Sequence, residues 1–230
     1  MDKKTFAIAI DGPVAAGKGT IALQLAKDLN GLYLYTGAMY RAVALYCLEK
    51  GIDLQDERGV VATLPEITIQ FVGETVLLNG QDVTEKLKAL GPAAGSSVVG
   101  VYPKVREDLV HKQQQIGKEA MLQGKIVISE GRDTGTKVFP DSPLKIYLTA
   151  ADSTRAQRRL KQYQAQERTV SFDEVLAEIR ERDTRDKGRE TDPLPSNPEA
   201  LGYFIIDDST MTEEATLQTI HKELKRRELL

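Results

Sequence analysis

Short apolar runs alternate with longer stretches of helical periodicity along most of the chain. FAIAI (6–10), LYLY (32–35), KIVISE (125–130), LKIYLT (144–149) and YFIID (203–207) are nearly continuous apolar segments, the pattern of strands covered on both faces. Between the first two, TIALQLAKDLN (20–30) spaces Ile21, Leu25 and Leu29 along one helical face and stops at Gly31. AMYRAVALYCLEK (38–50) is helix-like too, and a glycine closes it as well. Strands separated by helices predict a parallel sheet with helices on both sides. One region breaks the rhythm. ITIQFVGETVLLNGQDVTEKL (67–87) alternates over short segments around Asn79-Gly80, a strong hairpin signal, and predicts a small antiparallel insert over 65–102. Residues 188–202, rich in proline and polar side chains, predict a surface connection before the last strand.

Composition narrows the class. The 230 residues, 41% hydrophobic, can bury one good core, so a single domain is expected over 1–230. A net charge of −3 argues against a nucleic-acid binder, which would carry a basic surplus. One cysteine, Cys47, excludes an internal disulfide framework, and two histidines leave little for a zinc site. Cys47 lies in the apolar run AVALYCL and is expected to be a buried small hydrophobe. No apolar run reaches the length of a membrane span, and the one in MDKKTFAIAI is too short for a signal peptide. A cytoplasmic protein is expected.

The first candidate chemistry follows the first strand. Gly12, Pro13, Val14, Ala15, Ala16, Gly17, Lys18, Gly19 and Thr20 spell a glycine-rich loop that opens a helix. Strand, loop and helix in that order predict a phosphate cradle: backbone N–H groups turn inward, the helix adds its positive end, and Lys18 reaches the transferred phosphate. The usual pattern has Ser or Thr after the lysine, offering a hydroxyl to magnesium. Here that position is Gly19 and the hydroxyl comes one residue later, on Thr20. GKGT resembles the loop of nucleoside monophosphate kinases, where magnesium is held mainly by nucleotide phosphates and water, and it points to a small phosphorylated acceptor.

Transfer between two polyanions asks the protein mainly for positioning and positive charge, so arginines are the residues to seek. Four clusters contain them. YTGAMYR (35–41) carries Thr36 and Arg41, and SEGRDTGT (129–136) sets Arg132 and Asp133 at the end of an apolar strand, where ligands of parallel sheets sit. STRAQRRLK (153–161) places Arg155, Arg158 and Arg159 on one helical face, and RERDTRDKGR (180–189) does the same for Arg182, Arg185, Asp186 and Arg189.

GPVAAGKGT, YTGAMYRAVAL, EGRDTGTKVFPDSPLKIYL and EIRERDTRDKGR, in that order, resemble the bacterial-type cytidylate kinases over about residues 6–210. The resemblance implies a P-loop NTPase-type three-layer α/β fold with a parallel sheet core, a nucleotide-binding insert and a helical lid over 152–187. It implies ATP-dependent phosphorylation of CMP and dCMP by a monomer, with Mg2+ helped by Thr20 and Glu130. It further implies that Thr36, Arg41 and Arg132 hold the CMP phosphate, and that Ser97, Arg106 and Asp133 read cytosine. Arg182 and Asp186 would contact the ribose, Arg189 would lie near the transferring phosphate, and Arg155 and Arg158 would enter over ATP as the lid closes. The chain departs from the family pattern at Leu87-Lys88-Ala89 and at ETDPLP, which lacks the usual small residues before its Pro-Leu step. Two alternatives stay open: a kinase of the same fold for UMP, AMP or shikimate, and a non-catalytic P-loop nucleotide-binding regulator.

Overall fold

The computed structural model describes residues 4–89 and 95–230. Strand β1 (Ala7–Asp11) is buried at every position and leads through the glycine loop into helix α1 (Lys18–Asp28). Strand β2 (Leu32–Tyr35) runs directly into α2 (Thr36–Glu49), and α3 (Glu57–Thr63) follows. Next come three short strands, β3 (Ile69–Val72), β4 (Thr75–Leu78) and β5 (Gln81–Asp82), forming a separate antiparallel sheet in that order. The β4–β5 turn is Asn79-Gly80, both residues at positive φ, as a two-residue hairpin turn requires. Helix α4 (Thr84–Ala89) closes this part, and residues 90–94 of the expected insert lie outside the described residues.

The chain returns to the core through α5 (Ser96–Val99) and the long α6 (Pro103–Leu122), whose proline stands in the first turn, where it forfeits no hydrogen bond. Strand β6 (Val127–Gly131), a π-helical turn at Thr134–Val138 and β7 (Leu144–Thr149) follow. Helices α7 (Asp152–Ala165) and α8 (Phe172–Gly188) pack on one another, and α8 is started by a capping box between Ser171 and Glu174. Strand β8 (Phe204–Asp207) and α9 (Glu213–Arg226) end the chain.

The main sheet is parallel throughout, in the order β2-β6-β1-β7-β8. Alternation along the strands serves two cores. Ile8, Ile10, Ile128 and Ile146 pack with Ile21 and Leu25 of α1 and Ile220 and Leu224 of α9. Ala7, Leu34 and Val127 pack with α2 and α6 on the other side. The apolar strands are continuous because both faces are covered, and the expected layered fold is the observed one. Cys47 is fully buried in the second core.

Because β1 is the central strand and its neighbours β6 and β7 come much later in sequence, the chain diverges at its carboxyl end. That is where a crevice opens in an open parallel sheet. Asp11 of β1 lies level with Gly131 of β6 and Tyr147 of β7, so the glycine loop and the Arg132-Asp133 segment leave the sheet side by side. Gly12 makes this exit possible. A Cβ there would lie 2.0 Å from the Leu148 carbonyl oxygen. We expect Gly12→Ala to push β1 and β7 apart and to lower stability by about 2–4 kcal/mol. Urea unfolding reads this directly; an unchanged midpoint would show that the strand ends absorb the methyl group.

Candidate active site

The glycine loop is bent by left-handed residues, Ala15 at φ 58° and Gly17 at φ 88°, before Lys18 opens α1. Lys18 is buried, and its Nζ donates to the Pro13 carbonyl at 2.7 Å across the loop. Burial, with the Arg132 guanidinium nearby, pushes its ammonium down to about 7, against the pull of Glu130 and Asp11. Behind the loop, one residue is gripped at both ends. Val14 donates its N–H to Asp183 Oδ1 at 3.1 Å, and its carbonyl accepts from Arg155 Nη1 at 2.9 Å. Arg155 also pairs with Asp183 at 2.6 Å and with Asp152, and donates to the Ala150 carbonyl. Arg158 reaches the Ala16 carbonyl at 3.5 Å and pairs with Asp208 at 2.9 Å. Arg155 and Arg158 therefore stand behind the loop, while Arg159 from the same helix lines the cleft.

The cleft, about 320 Å³, falls in the size range of small-ligand sites. Val14 through Thr20 form one wall. Facing them are Thr36 and Arg41 from α2, Arg132 and Asp133 after β6, and Arg182, Arg185, Asp186 and Arg189 from the end of α8. Thr36 is buried and donates to the Glu130 carbonyl at 2.7 Å, tying β2 to β6 where the chain turns into helix. Arg132 donates from Nε to Asp186 at 2.7 Å, and Arg182 stands 3.9 Å from the same carboxylate. Burial alone would raise the Asp186 carboxyl, but Arg132 and Arg182 hold it below the usual range. Burial and the neighbouring Arg132 lower Arg182 to about 10. These cations are crowded, and an arriving polyanion would relieve them.

The cleft also holds a polar cluster of different character. Arg106 of α6 is buried, donating to Asp133, to the Gly100 carbonyl at 3.2 Å and to Asp192 at 3.2 Å, with its guanidinium 5.5 Å from the Tyr40 ring centre. Asp133 is desolvated strongly enough that its carboxyl lies above the ordinary value despite Arg106 and Arg189. Ser97 also lines the cleft, and its hydroxyl accepts from Arg185 Nη1 at 3.0 Å. A donor, an acceptor and a hydroxyl thus meet beside an aromatic ring. Such a set can match the hydrogen-bonding edge of a flat polar ring.

Sequence reasoning missed several groups. Asp11, fully buried at the end of β1, accepts from Thr134 N–H (2.8 Å), Thr134 Oγ1 (3.0 Å), Gly135 N–H (2.8 Å) and the Tyr203 hydroxyl (2.7 Å). It fixes the turn that begins one residue after Asp133. Its signal was a lone carboxylate at the end of an apolar strand, just before Gly12. Tyr33 and Tyr35, two apart on β2, stack at 6.1 Å and line the cleft, with Arg41 over Tyr35 at 5.7 Å. The Tyr33 hydroxyl would be 3.4 Å from a Cβ at Gly19, so it stands close to where the common loop places its Ser or Thr.

Among the described residues, no group of three or more His, Cys, Asp and Glu side chains could hold a metal alone. The cleft's oxygen-bearing side chains include Thr20 and Glu130, a hydroxyl and a carboxylate of the hard type that hard cations prefer. Among the described residues no helix is long and apolar enough to cross a membrane.

Comparison with known proteins agrees with this geometry. The family model described as cytidylate kinase matches residues 8–226. A cytidylate kinase of Caldanaerobacter subterraneus is 42% identical over 222 residues, covering 96% of each chain. One from Neisseria gonorrhoeae is 39% identical over 213 residues, covering 93% of this chain and 94% of the relative. The crystal structure of an uncharacterized protein from Eubacterium ventriosum superposes with a TM-score of 0.56 at 13% identity, over 97% of this chain and 99% of that one, a likeness of fold alone.

With its ammonium near neutrality, Lys18 is partly deprotonated above pH 7 in the free protein, and a bound polyphosphate favours the charged form. Lys18 should therefore contribute a proton uptake when tripolyphosphate binds at pH 8, on top of any proton the ligand itself sheds. Calorimetry in buffers of different ionisation enthalpy measures this. Lys18→Met should abolish the uptake; an undiminished uptake in that variant would place the proton elsewhere.

Proposed function

The chain belongs to the cytidylate kinase family, and from that premise we propose how its cleft is used. The enzyme is a nucleoside monophosphate kinase that phosphorylates CMP and dCMP to CDP and dCDP with ATP as donor. In our reading, Gly12 to Thr20 cradle the phosphates of ATP, with Lys18 on the phosphate that moves. Thr36, Arg41 and Arg132 hold the acceptor phosphate, and Arg182 and Asp186 hold the sugar. Arg189, which lines the same cleft, would reach the phosphate in transit. Arg155 and Arg158 act through the backbone of the donor loop, which they grip at Val14 and Ala16.

The step needs no general base. An oxygen of the acceptor phosphate forms a bond to the γ-phosphorus as the bond to the β–γ bridging oxygen breaks, and ADP leaves with that electron pair. Lys18, Arg132 and Arg189 neutralise the charge that spreads over the moving group. Glu130 and Thr20 would help hold a Mg2+ ion brought in with the nucleotide, and the chemistry it would supply is to offset phosphate charge. A monomer acting in the cytoplasm completes this reading.

The observation that carries the acceptor assignment is the buried Arg106–Asp133 pair lining the cleft. Cytosine presents an amine donor beside ring acceptors, so Asp133 can take the amine while Arg106 and Ser97 serve the acceptors. Uracil would turn a carbonyl oxygen toward Asp133. Asp133→Ala should weaken CMP by about 1–3 kcal/mol and leave ATP nearly unaffected. A titration in which both nucleotides lose equally would overturn the base-reading role.

A further inference from the structure

Asp192 lies in the proline-rich connection after α8, a stretch whose composition predicts only a surface link. Its side chain is only 12% exposed, and it joins charged groups from three segments. Its carboxylate accepts from Arg106 Nε of α6 at 3.2 Å and pairs with Lys137 Nζ, from the turn after β6, at 3.0 Å. Its backbone carbonyl accepts from Arg189 Nε at 2.7 Å and from Arg189 Nη2. The residue adopts φ 49°, a left-handed conformation that Asp and Asn enter more readily than most side chains. The chain beyond it is anchored, because Leu194 is fully buried and donates its N–H to the Asp186 carbonyl at 2.8 Å. Asp192 is therefore a junction between the proposed base reader and the proposed phosphate arginine.

We propose that Asp192 is a positioning residue for recognition of the acceptor base, fixing the plane of Arg106 so that Arg106 and Asp133 present a matched edge to cytosine. The inference rests on the assignment of Arg106 and Asp133 to the base. A guanidinium held by one carboxylate can pivot about that contact, whereas planar forks gripped from two sides are fixed in orientation. Here Asp192 holds Nε, Asp133 holds Nη2 and the Gly100 carbonyl holds Nη1, which leaves N–H groups on the terminal nitrogens for a ligand. The second carboxylate also affects Asp133. Arg189 Nη2 lies 3.9 Å from Asp133, so without Asp192 two arginines would share a single carboxylate. With Asp192 present, Asp133 keeps acceptor capacity for the base amine.

Two substitutions separate this role from general stability. Asp192→Gly removes the carboxylate at a backbone conformation glycine adopts freely, and it leaves the carbonyl that holds Arg189. Asp192→Asn keeps an acceptor for Arg106 Nε. In calorimetric titrations Asp192→Gly should raise the Kd for CMP about tenfold, with the Kd for ATP within about twofold. The preference for CMP over UMP in kcat/KM should fall by a similar factor. Asp192→Asn should restore both to within about threefold of the parent. Unchanged CMP affinity and preference in Asp192→Gly would overturn the inference, as would equal losses for CMP and ATP. Asp133→Ala, measured beside it, distinguishes the two levels. If Asp133→Ala also keeps the preference for CMP, the base assignment fails and this inference with it. If Asp133→Ala loses the preference and Asp192→Gly retains it, only the role of Asp192 is refuted.

Discussion

Cations that grip phosphate must stand close together before any phosphate is present, and their mutual repulsion is the constraint around which this cleft is built. Lys18, Arg132, Arg182 and Arg189 all line the same small space. Carboxylates set beside and behind them make that tolerable. Asp186 pairs with Arg132, Asp183 with Arg155, and Asp133 and Asp192 with Arg106. None of these is a surface ion pair of small consequence. Most are buried, where removing one partner strands the other. The compensation is incomplete at Lys18 and Arg182, whose ammonium and guanidinium are pushed down by burial and by neighbouring positive charge. A site left short of negative charge favours a ligand that supplies it.

Backbone position and side-chain charge are set by the same residues. Asp183 accepts from the glycine loop at Val14 and neutralises Arg155, which holds the carbonyl of that same residue. Asp11 ends the central strand, and its two oxygens collect the N–H groups and hydroxyls that fix the start of the π-helical turn after Asp133. The donor loop and the acceptor-facing segment are thus fastened to the sheet at one place. Their geometry depends on β1 lying between β6 and β7, which is a property of strand order and not of either motif alone.

Much of this was legible in the chain. The continuous apolar strands, the glycine loop and the Arg132-Asp133 step each carry a local signature, because burial on two faces and a positive-φ loop constrain residue type directly. Helix α6 is harder to see: its packed face includes Gln113 and Gly117 along with Val105, Leu109 and Ala120, which dilutes the apolar period. The carboxylates were the least legible. Asp11, Asp183 and Asp192 are common residue types whose partners lie far away in sequence, and nothing local distinguishes them from solvated acids. Arg155 and Arg159 look alike on a helical projection, yet α7 turns the first toward the back of the loop and the second toward the cleft. Periodicity places side chains on a face; only packing decides what that face meets.

The assay that bears most directly on the enzyme's activity is ADP release from Mg-ATP in the presence of CMP, dCMP, UMP, AMP, GMP or no acceptor. Turnover confined to CMP and dCMP is the expected result, since of the two pyrimidines only cytosine brings an amine to Asp133. Comparable turnover with UMP or AMP would contradict base reading by Arg106 and Asp133, and absence of turnover with every acceptor would contradict phosphoryl transfer itself.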